Sequence, residues 1–208
     1  MTTSPTWLSA NRPSSTEVRT VSGMERITLA PAGAEAAAAG GSAPAPFDAG
    51  AFRRTLGRFA TGVTLVTAAD ASGPVGLIVN AFNAVSLEPP LIAICPSRHS
   101  FTWSRMRRSG RFGVNMLAAD HAKYVRHAAQ ADADRFIGLN HVLSESGVPR
   151  ILSAIAYLDC EPVSEQLAGD HWIVVARVHD LAADHGRAPL VFSDGRLGSF
   201  VDLEAQEP

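Results

Sequence analysis

Asn80-Ala-Phe-Asn-Ala-Val-Ser-Leu-Glu-Pro-Pro-Leu-Ile-Ala-Ile-Cys95 joins two short apolar runs through a polar interval and the pair Pro89-Pro90. Residues 75–79 and 91–94 are rich in β-branched side chains, the pattern of buried strands. Between them stand small amide and hydroxyl groups, which let a backbone come close to a flat ligand. Further short apolar runs follow the same style at 63–68, 112–117, 151–159, 171–181 and 190–192, with a last one near 197–203. Many short strands with few helices predict an antiparallel barrel, mainly β, instead of alternating β-α units. The chain has no internal repeat.

Composition sets the outer bounds. A chain of 208 residues suits one domain plus a tail, and a domain of roughly 150 residues buries about two-thirds of its unfolded surface. A formal charge of −2 and a pI near 6.4 give no electrostatic reason to expect nucleic acid or an anionic membrane as partner. Lys123 is the only lysine, so any phosphate falls to arginines, hydroxyls and backbone amides, and a Walker-type loop is excluded. The longest apolar stretch, 73–87, is interrupted by Asn80, Asn83 and Ser86 and falls short of a bilayer span. Cys95 and Cys160 read as free thiols, and neither they nor the histidines show metal-ligand spacing, so no metal is expected. The first residues lack the basic start and apolar core of a secretory signal, which predicts a cytoplasmic protein.

Residues 1–46 are rich in Pro, Ser, Thr, Ala and Gly and end in Ala43-Pro-Ala-Pro46, the composition of a disordered tail preceding a domain at 47–208. Met24-Glu-Arg-Ile-Thr-Leu29 reads either as a short strand or as a start at Met24 preceded by an extension. Asp48 is placed to cap a helix through Ala60, with Phe52, Leu56 and Phe59 on the face expected to lie against the barrel. Asp70-Ala-Ser-Gly-Pro74 has the glycine and proline of a hairpin turn. Ser100 is expected to cap a short helix over 102–108, a second helix is expected over 120–129, and 131–149 reads as a loop.

Six separated pieces occur in one order: Arg58-Phe-Ala-Thr-Gly-Val-Thr-Leu-Val-Thr67, the 80–90 stretch, Ser97-Arg-His-Ser-Phe-Thr102, Arg111-Phe-Gly-Val-Asn115, Asp134-Arg-Phe136 and Gly169-Asp-His171. In this the sequence resembles the flavin reductase family, the reductase components of two-component flavin monooxygenases, from about Phe52 to Leu203. The resemblance implies the split antiparallel β-barrel that binds flavin mononucleotide, with a few flanking helices. It implies a homodimer, with each site completed near the subunit interface. It also implies an enzyme that oxidises NADH, reduces freely exchanging FAD or FMN, and passes reduced flavin to a separate monooxygenase. A non-catalytic flavin-binding module and a pyridoxamine-phosphate-oxidase-like enzyme are the other readings, the second disfavoured by the scarcity of lysine.

The same likeness assigns residues. Val79, Asn80, Ala81, Phe82 and Cys95 are expected around the flavin ring, with the Asn80 amide able both to donate and to accept. Taken alone, such an amide more often serves a turn at a strand end, and its place in the family motif is what points to the ring. Ile78 and Ala81 stand where Thr and Ser are common in relatives, which removes two hydroxyls and suits a product that must leave. Ser97, Arg98, Ser100 and Thr102 offer hydroxyls and a guanidinium to a phosphate at a helix start, although ordinary capping by Ser100 accounts for the same spacing. Phe101 either stacks or fills the core, and Asn115 either reaches the flavin or satisfies backbone. His171, the residue assigned to catalysis, is implied to contact the nicotinamide nucleotide, with Arg135 and Phe136 covering it and Asp170 holding the loop. No G-x-G-x-x-G fingerprint follows a strand, so a Rossmann domain is not expected. Nor is a general base required, because the cofactors do the bond-making.

Overall fold

The computed structural model describes residues 47–130 and 134–202. The tail expected over 1–46 and the strand or start at Met24 lie outside the described residues. Seven strands form one antiparallel sheet: β2 (Thr64–Asp70), β3 (Gly73–Val79), β4 (Phe82–Leu87), β5 (Pro90–Ile94), β6 (Phe112–Met116), β9 (Ala156–Ala168) and β10 (His171–Ala183). Their order is β3-β2-β6-β9-β10-β5-β4. The two edge strands, β3 and β4, are successive in the chain and joined only by Asn80 and Ala81. With consecutive Cα atoms about 3.8 Å apart, that link forces the edges of the sheet to meet, and the sheet rolls into a barrel split at this corner. A three-stranded sheet, β1 (Thr61–Gly62), β11 (Leu190–Ser193) and β12 (Arg196–Ser199), and a hairpin of β7 (His141–Leu143) with β8 (Pro149–Ile151) complete the β structure. Among the described residues the helices are α1 (Ala49–Leu56), α2 (Phe101–Met106) and α3 (Ala122–Ala128), the last entered through a 3-10 turn at Ala119–His121.

Strand β2 is buried on both faces, which is why it reads as an unbroken apolar run. Alternation sends Val66 and Ala68 into the barrel with Ile94, Trp103, Phe112 and Val174. Leu65 points the other way, to a second cluster with Val63, Leu117, Val125, Ile151 and Leu190. Gly113 shows how closely the layers meet, since an added Cβ would stand 2.7 Å from Thr67 Oγ1 and 2.8 Å from the Tyr157 ring.

Several expectations change in detail. The β2–β3 turn is the two-residue loop Ala71-Ser72, tied by Asp70 Oδ1 accepting from Ser72 N–H at 2.8 Å, while Gly73 and Pro74 already belong to β3. The stretch read as a loop over 131–149 contains β7. Residues 152–155 are not strand but link β8 to β9, and β9 runs on to Ala168, through a polar half that sequence reading missed because it is an exposed ribbon. Pro162 is tolerated there beside a register shift. Asp48 caps α1 as expected, accepting from Ala51 N–H at 2.7 Å. The apolar face of α1 does not lie against the barrel, however: Phe52, Leu56 and Phe59 are 49%, 56% and 76% exposed. The helix ends at Gly57 after two turns, too short to reach back over the sheet.

Candidate functional site

The corner at Asn80-Ala81 organises the polar residues. Ala81 C=O accepts from Cys95 N–H at 3.1 Å, and Phe82 pairs with Ile94, which pairs with Val174 of β10. Beyond Cys95 the chain crosses to the β9–β10 turn. Ser97 bridges His171, Arg98 N–H donates to Asp170 C=O at 2.9 Å, and Trp172 N–H donates to Pro96 C=O at 2.9 Å. The turn itself is Gly169-Asp170, with Gly169 at φ +63°, a two-residue connection that glycine makes easily. Residues 95–102 and His171 are therefore fixed together by backbone hydrogen bonds.

Within that loop, Ser97 Oγ accepts from His99 N–H at 3.2 Å and Ser100 Oγ accepts from Trp103 N–H at 3.1 Å. Both hydroxyls keep their own proton for a ligand. Helix α2 has only six residues, so an anion placed here would meet hydroxyls, Arg98 and loop amides more than a helix dipole. Two clamps fasten α2. Arg105 makes a bidentate pair with Asp70, at 2.8 and 2.9 Å, and holds its carboxyl well below the usual carboxylate range. Arg107 binds Glu165 and lies 4.8 Å from the Trp172 ring centroid, tying the helix to the hairpin that bears His171. His171 Nδ1 meets Asp170 Oδ1 at 2.8 Å, and this contact lowers the Asp170 pKa, so the carboxylate stays charged and orients the ring. Burial pushes the Cys95 thiol up, which leaves it protonated at neutral pH.

Asn80 also lines a cavity of about 670 Å³, within the usual range of cofactor sites, roughly 300–1,000 Å³. Its apolar walls come from Ile78, Val63, Val125 of α3, and Phe192 and Leu197 of β11 and β12. Its polar lining residues are Asn80, Arg126 and Arg196, and no carboxylate residue lines it. A smaller cavity of about 120 Å³ also touches Asn80, beside Gly62, Phe82 and Met116. Thr61 Oγ1, on the β1 residue paired with Phe192, is buried without a protein partner. Apolar walls, one neutral amide and two guanidiniums fit a flat ring with a polar edge and an attached anion.

Residues 56–200 match the flavin reductase like domain. The chain belongs to the flavin reductase-like family. This family member is 41% identical over 153 residues to a flavin reductase of Pseudomonas putida, covering 73% of this chain and 90% of the relative. It is 39% identical over 145 residues to the reductase subunit of a flavin-dependent monooxygenase of Rhodococcus jostii, covering 70% of this chain and 74% of that one. Among solved structures, an NADH:FAD oxidoreductase of Streptomyces globisporus in complex with NAD and FAD fragments superposes with a TM-score of 0.71 at 35% identity, covering 77% of this chain and 98% of that one. The rolled sheet is accordingly the split barrel expected of a flavin reductase.

In this flavin reductase-like chain the expected residues separate into groups. Asn80 is exposed to both cavities. Val79 is buried in the first core, and Ala81 and Phe82 pack against that core. Ser97, Arg98, Ser100, Thr102 and His171 are brought together. Phe101 is 77% exposed and does not fill the core. Asn115 is fully buried and committed to structure: its amide donates to Leu65 C=O and Thr67 Oγ1, both at 3.1 Å, and its oxygen accepts from Ile151 N–H at 2.8 Å. The expectation that it reaches flavin gives way to the backbone role.

Arg135 and Phe136 pack on Gly76 of β3, where an added Cβ would lie 2.9 Å from Arg135 Cβ and 3.4 Å from the Phe136 ring. Phe136 joins the second cluster, the layer that also holds Ile78, Phe192 and Leu197. Tyr124 Oη anchors the segment by donating to Arg135 C=O at 2.6 Å. Sequence reading missed Arg126, Phe192, Arg196 and Leu197, which belong to no quoted motif and meet Asn80 only through tertiary packing. The one local signal was Asp194-Gly195, a turn between two short strands.

Proposed function

We propose that the protein is an NADH-dependent flavin reductase whose reduced product leaves for a separate flavin-dependent monooxygenase. The observation that carries this reading is the open, apolar cavity at Asn80 next to the 97–102 loop, in a chain of the flavin reductase-like family. Flavin, when bound, supplies the two-electron acceptor that no side chain provides. Asn80 meets the polar edge of the ring, and the corner at residues 79–82, with Cys95 beside it, forms the approach. Ser97, Arg98, Ser100 and Thr102 hold the flavin phosphate by hydroxyl and guanidinium contacts. His171, steadied by Asp170, positions the nicotinamide nucleotide, and Arg135 and Phe136 support the cavity from the β3 side.

Ile78 contributes an apolar wall and no hydrogen bond, which favours a flavin that exchanges. Both FAD and FMN are accepted on this reading, because the loop holds the phosphate they share. The working form is a homodimer in the cytoplasm. Its support is the uncovered stripe of α1, where Phe47 and Phe52 stack at 5.5 Å between centroids in contact with water, a surface that a second copy would bury. No described helix is long and apolar enough to cross a membrane. The test is steady-state oxidation of NADH and NADPH with added FAD, FMN and riboflavin. Rapid NADH oxidation that depends on added flavin is expected, and a flat absorbance at 340 nm with every flavin would overturn the reading.

A further inference from the structure

We infer that Arg107 is a positioning residue for hydride transfer: it holds the β9–β10 ribbon against helix α2 and so sets the His171 turn relative to the hydroxyls of the 97–102 loop. The inference rests on the reductase reading, in which those two places receive the two nucleotides. His171 stands at the end of a ribbon whose outer half is exposed, with Val163 and Leu167 47% and 49% accessible. A register shift between Val175 and Ala176 interrupts its pairing. A bulged, solvated ribbon bends where nothing holds it. Hydride transfer needs the reacting atoms at a near-attack separation of roughly 3–3.5 Å, so the end of the ribbon has to be fixed.

Arg107 closes α2 as its C-cap, its N–H donating to Trp103 C=O at 3.0 Å, while Ser100 caps the other end of the same helix. Trp103 and Met106 seat the helix in the barrel core. Arg105 and Arg107 are two residues apart, and at 3.6 residues per turn they leave the helix on nearly opposite flanks. Arg105 takes Asp70 at the β2–β3 turn, and Arg107 takes the ribbon. There Trp172 pairs with Leu167 and Val174 with Glu165, which makes Trp172 and Glu165 diagonal neighbours on one face. The guanidinium spans that diagonal: Nη2 donates to Glu165 Oε2, and Cζ lies 4.8 Å from the Trp172 ring centroid. Trp172 is the residue after His171, and its own N–H donates to Pro96 C=O at 2.9 Å. Alternation turns His171 to the opposite face, so Arg107 acts on it through Trp172.

The experiment measures anaerobic single-turnover reduction of FMN and of FAD by NADH, with the protein in excess over flavin. It compares wild type with Arg107→Gln, Arg107→Lys, Trp172→Leu and the double variant Arg107→Gln/Trp172→Leu. The limiting rate constant belongs to the folded, flavin-loaded molecule, so a smaller folded fraction leaves it unmoved, and a circular dichroism melt records that fraction separately. Arg107→Gln is expected to lower the limiting rate constant about tenfold, with the half-saturating NADH concentration and the flavin affinity within twofold of wild type. Arg107→Lys recovers part of the rate, because it keeps the pair with Glu165 and loses the planar stacking on Trp172. Trp172→Leu lowers the rate by a similar factor, and the double variant loses no more than either single one. An unchanged limiting rate in Arg107→Gln overturns the inference. So does a defect found wholly in NADH or flavin affinity, which makes Arg107 a binding contact. Losses that add in the double variant overturn the route through Trp172. If wild type itself reduces neither flavin, the reductase reading fails and takes the positioning role with it.

Discussion

The turn that carries His171 and the cavity that holds Arg126 flank the same two-residue link, yet they are held by different means. At the turn, main-chain hydrogen bonds join Pro96 to Trp172 and Arg98 to Asp170, Ser97 bridges His171, and α2 is clamped at Asp70 and Glu165. At the cavity, the fixed part is apolar, supplied by a core layer of β3, α3, β11 and β12, and the charged side chains are loose. The first arrangement prepares donors in place at no further ordering cost. The second leaves long side chains to order when a ligand arrives, at a cost of up to about 2 kcal/mol each, and so suits a substrate that comes and goes.

Substitutions can break or sharpen this contrast, and the largest effect is expected away from both stations. Asn115→Ala removes partners from three buried polar groups and should lower the unfolding free energy by about 2–4 kcal/mol in urea. Flavin affinity of the folded fraction should stay within twofold. A stable variant that has lost flavin would return Asn115 to the site.

Phe52→Ser/Leu56→Ser removes the exposed stripe of α1, and light scattering after size exclusion should show the mass fall from dimer to monomer. An unchanged dimer would place the interface elsewhere. At the corner itself, Asn80→Ala should weaken flavin binding by about tenfold, the equivalent of about 1.4 kcal/mol, read from quenching of flavin fluorescence. An equal loss of NADH affinity with no change for flavin would move Asn80 to the other substrate.

His171→Ala should raise the NADH KM about three- to tenfold, with flavin affinity barely moved. NADH kinetics indistinguishable from wild type would remove His171 from the site.

The smallest expected effect is one of pH. His121 is buried, its Nδ1 accepting from Ala118 N–H at 3.0 Å and its Nε2 within 2.8 Å of Ser153 Oγ. Burial lowers its pKa below 6.5, against the pull of Asp120, while Arg187 adds to the lowering. The unfolded chain therefore binds the proton more readily, and stability is full above 6.5 and declines as pH falls below it. The melting temperature should be level from pH 7 upward and drop towards pH 5, with part of that slope missing in His121→Gln. A full slope in that variant would assign the titration to another group.

How much of this was readable in advance follows from how local each feature is. The strands at 63–68, 75–79 and 91–94 announced themselves because β-branched runs bounded by turn residues are short-range patterns. The cap of α1 by Asp48 was legible for the same reason, but the fate of its apolar face was not, since periodicity states which residues share a side and not what covers it. Ser97, Ser100 and His171 were found by motif, and their meeting depends on a hairpin turn at Gly169 that sequence also suggests. Arg126 and Arg196 lie 70 residues apart and carry no motif, so nothing short of the fold could pair them.

By itself, then, the order of residues determined a mainly antiparallel barrel, a flavin-reductase likeness and a polar corner at Asn80, because strand pattern, turn chemistry and motif are written in neighbours. Only the tertiary structure decided that Asn115 is internal scaffolding, that Phe136 joins the second cluster with Ile78 and Phe192, and that two distant arginines share one opening. Those outcomes come from which faces of β2 and β3 are covered, and packing across a rolled sheet joins residues whose separation along the chain holds no information about their meeting.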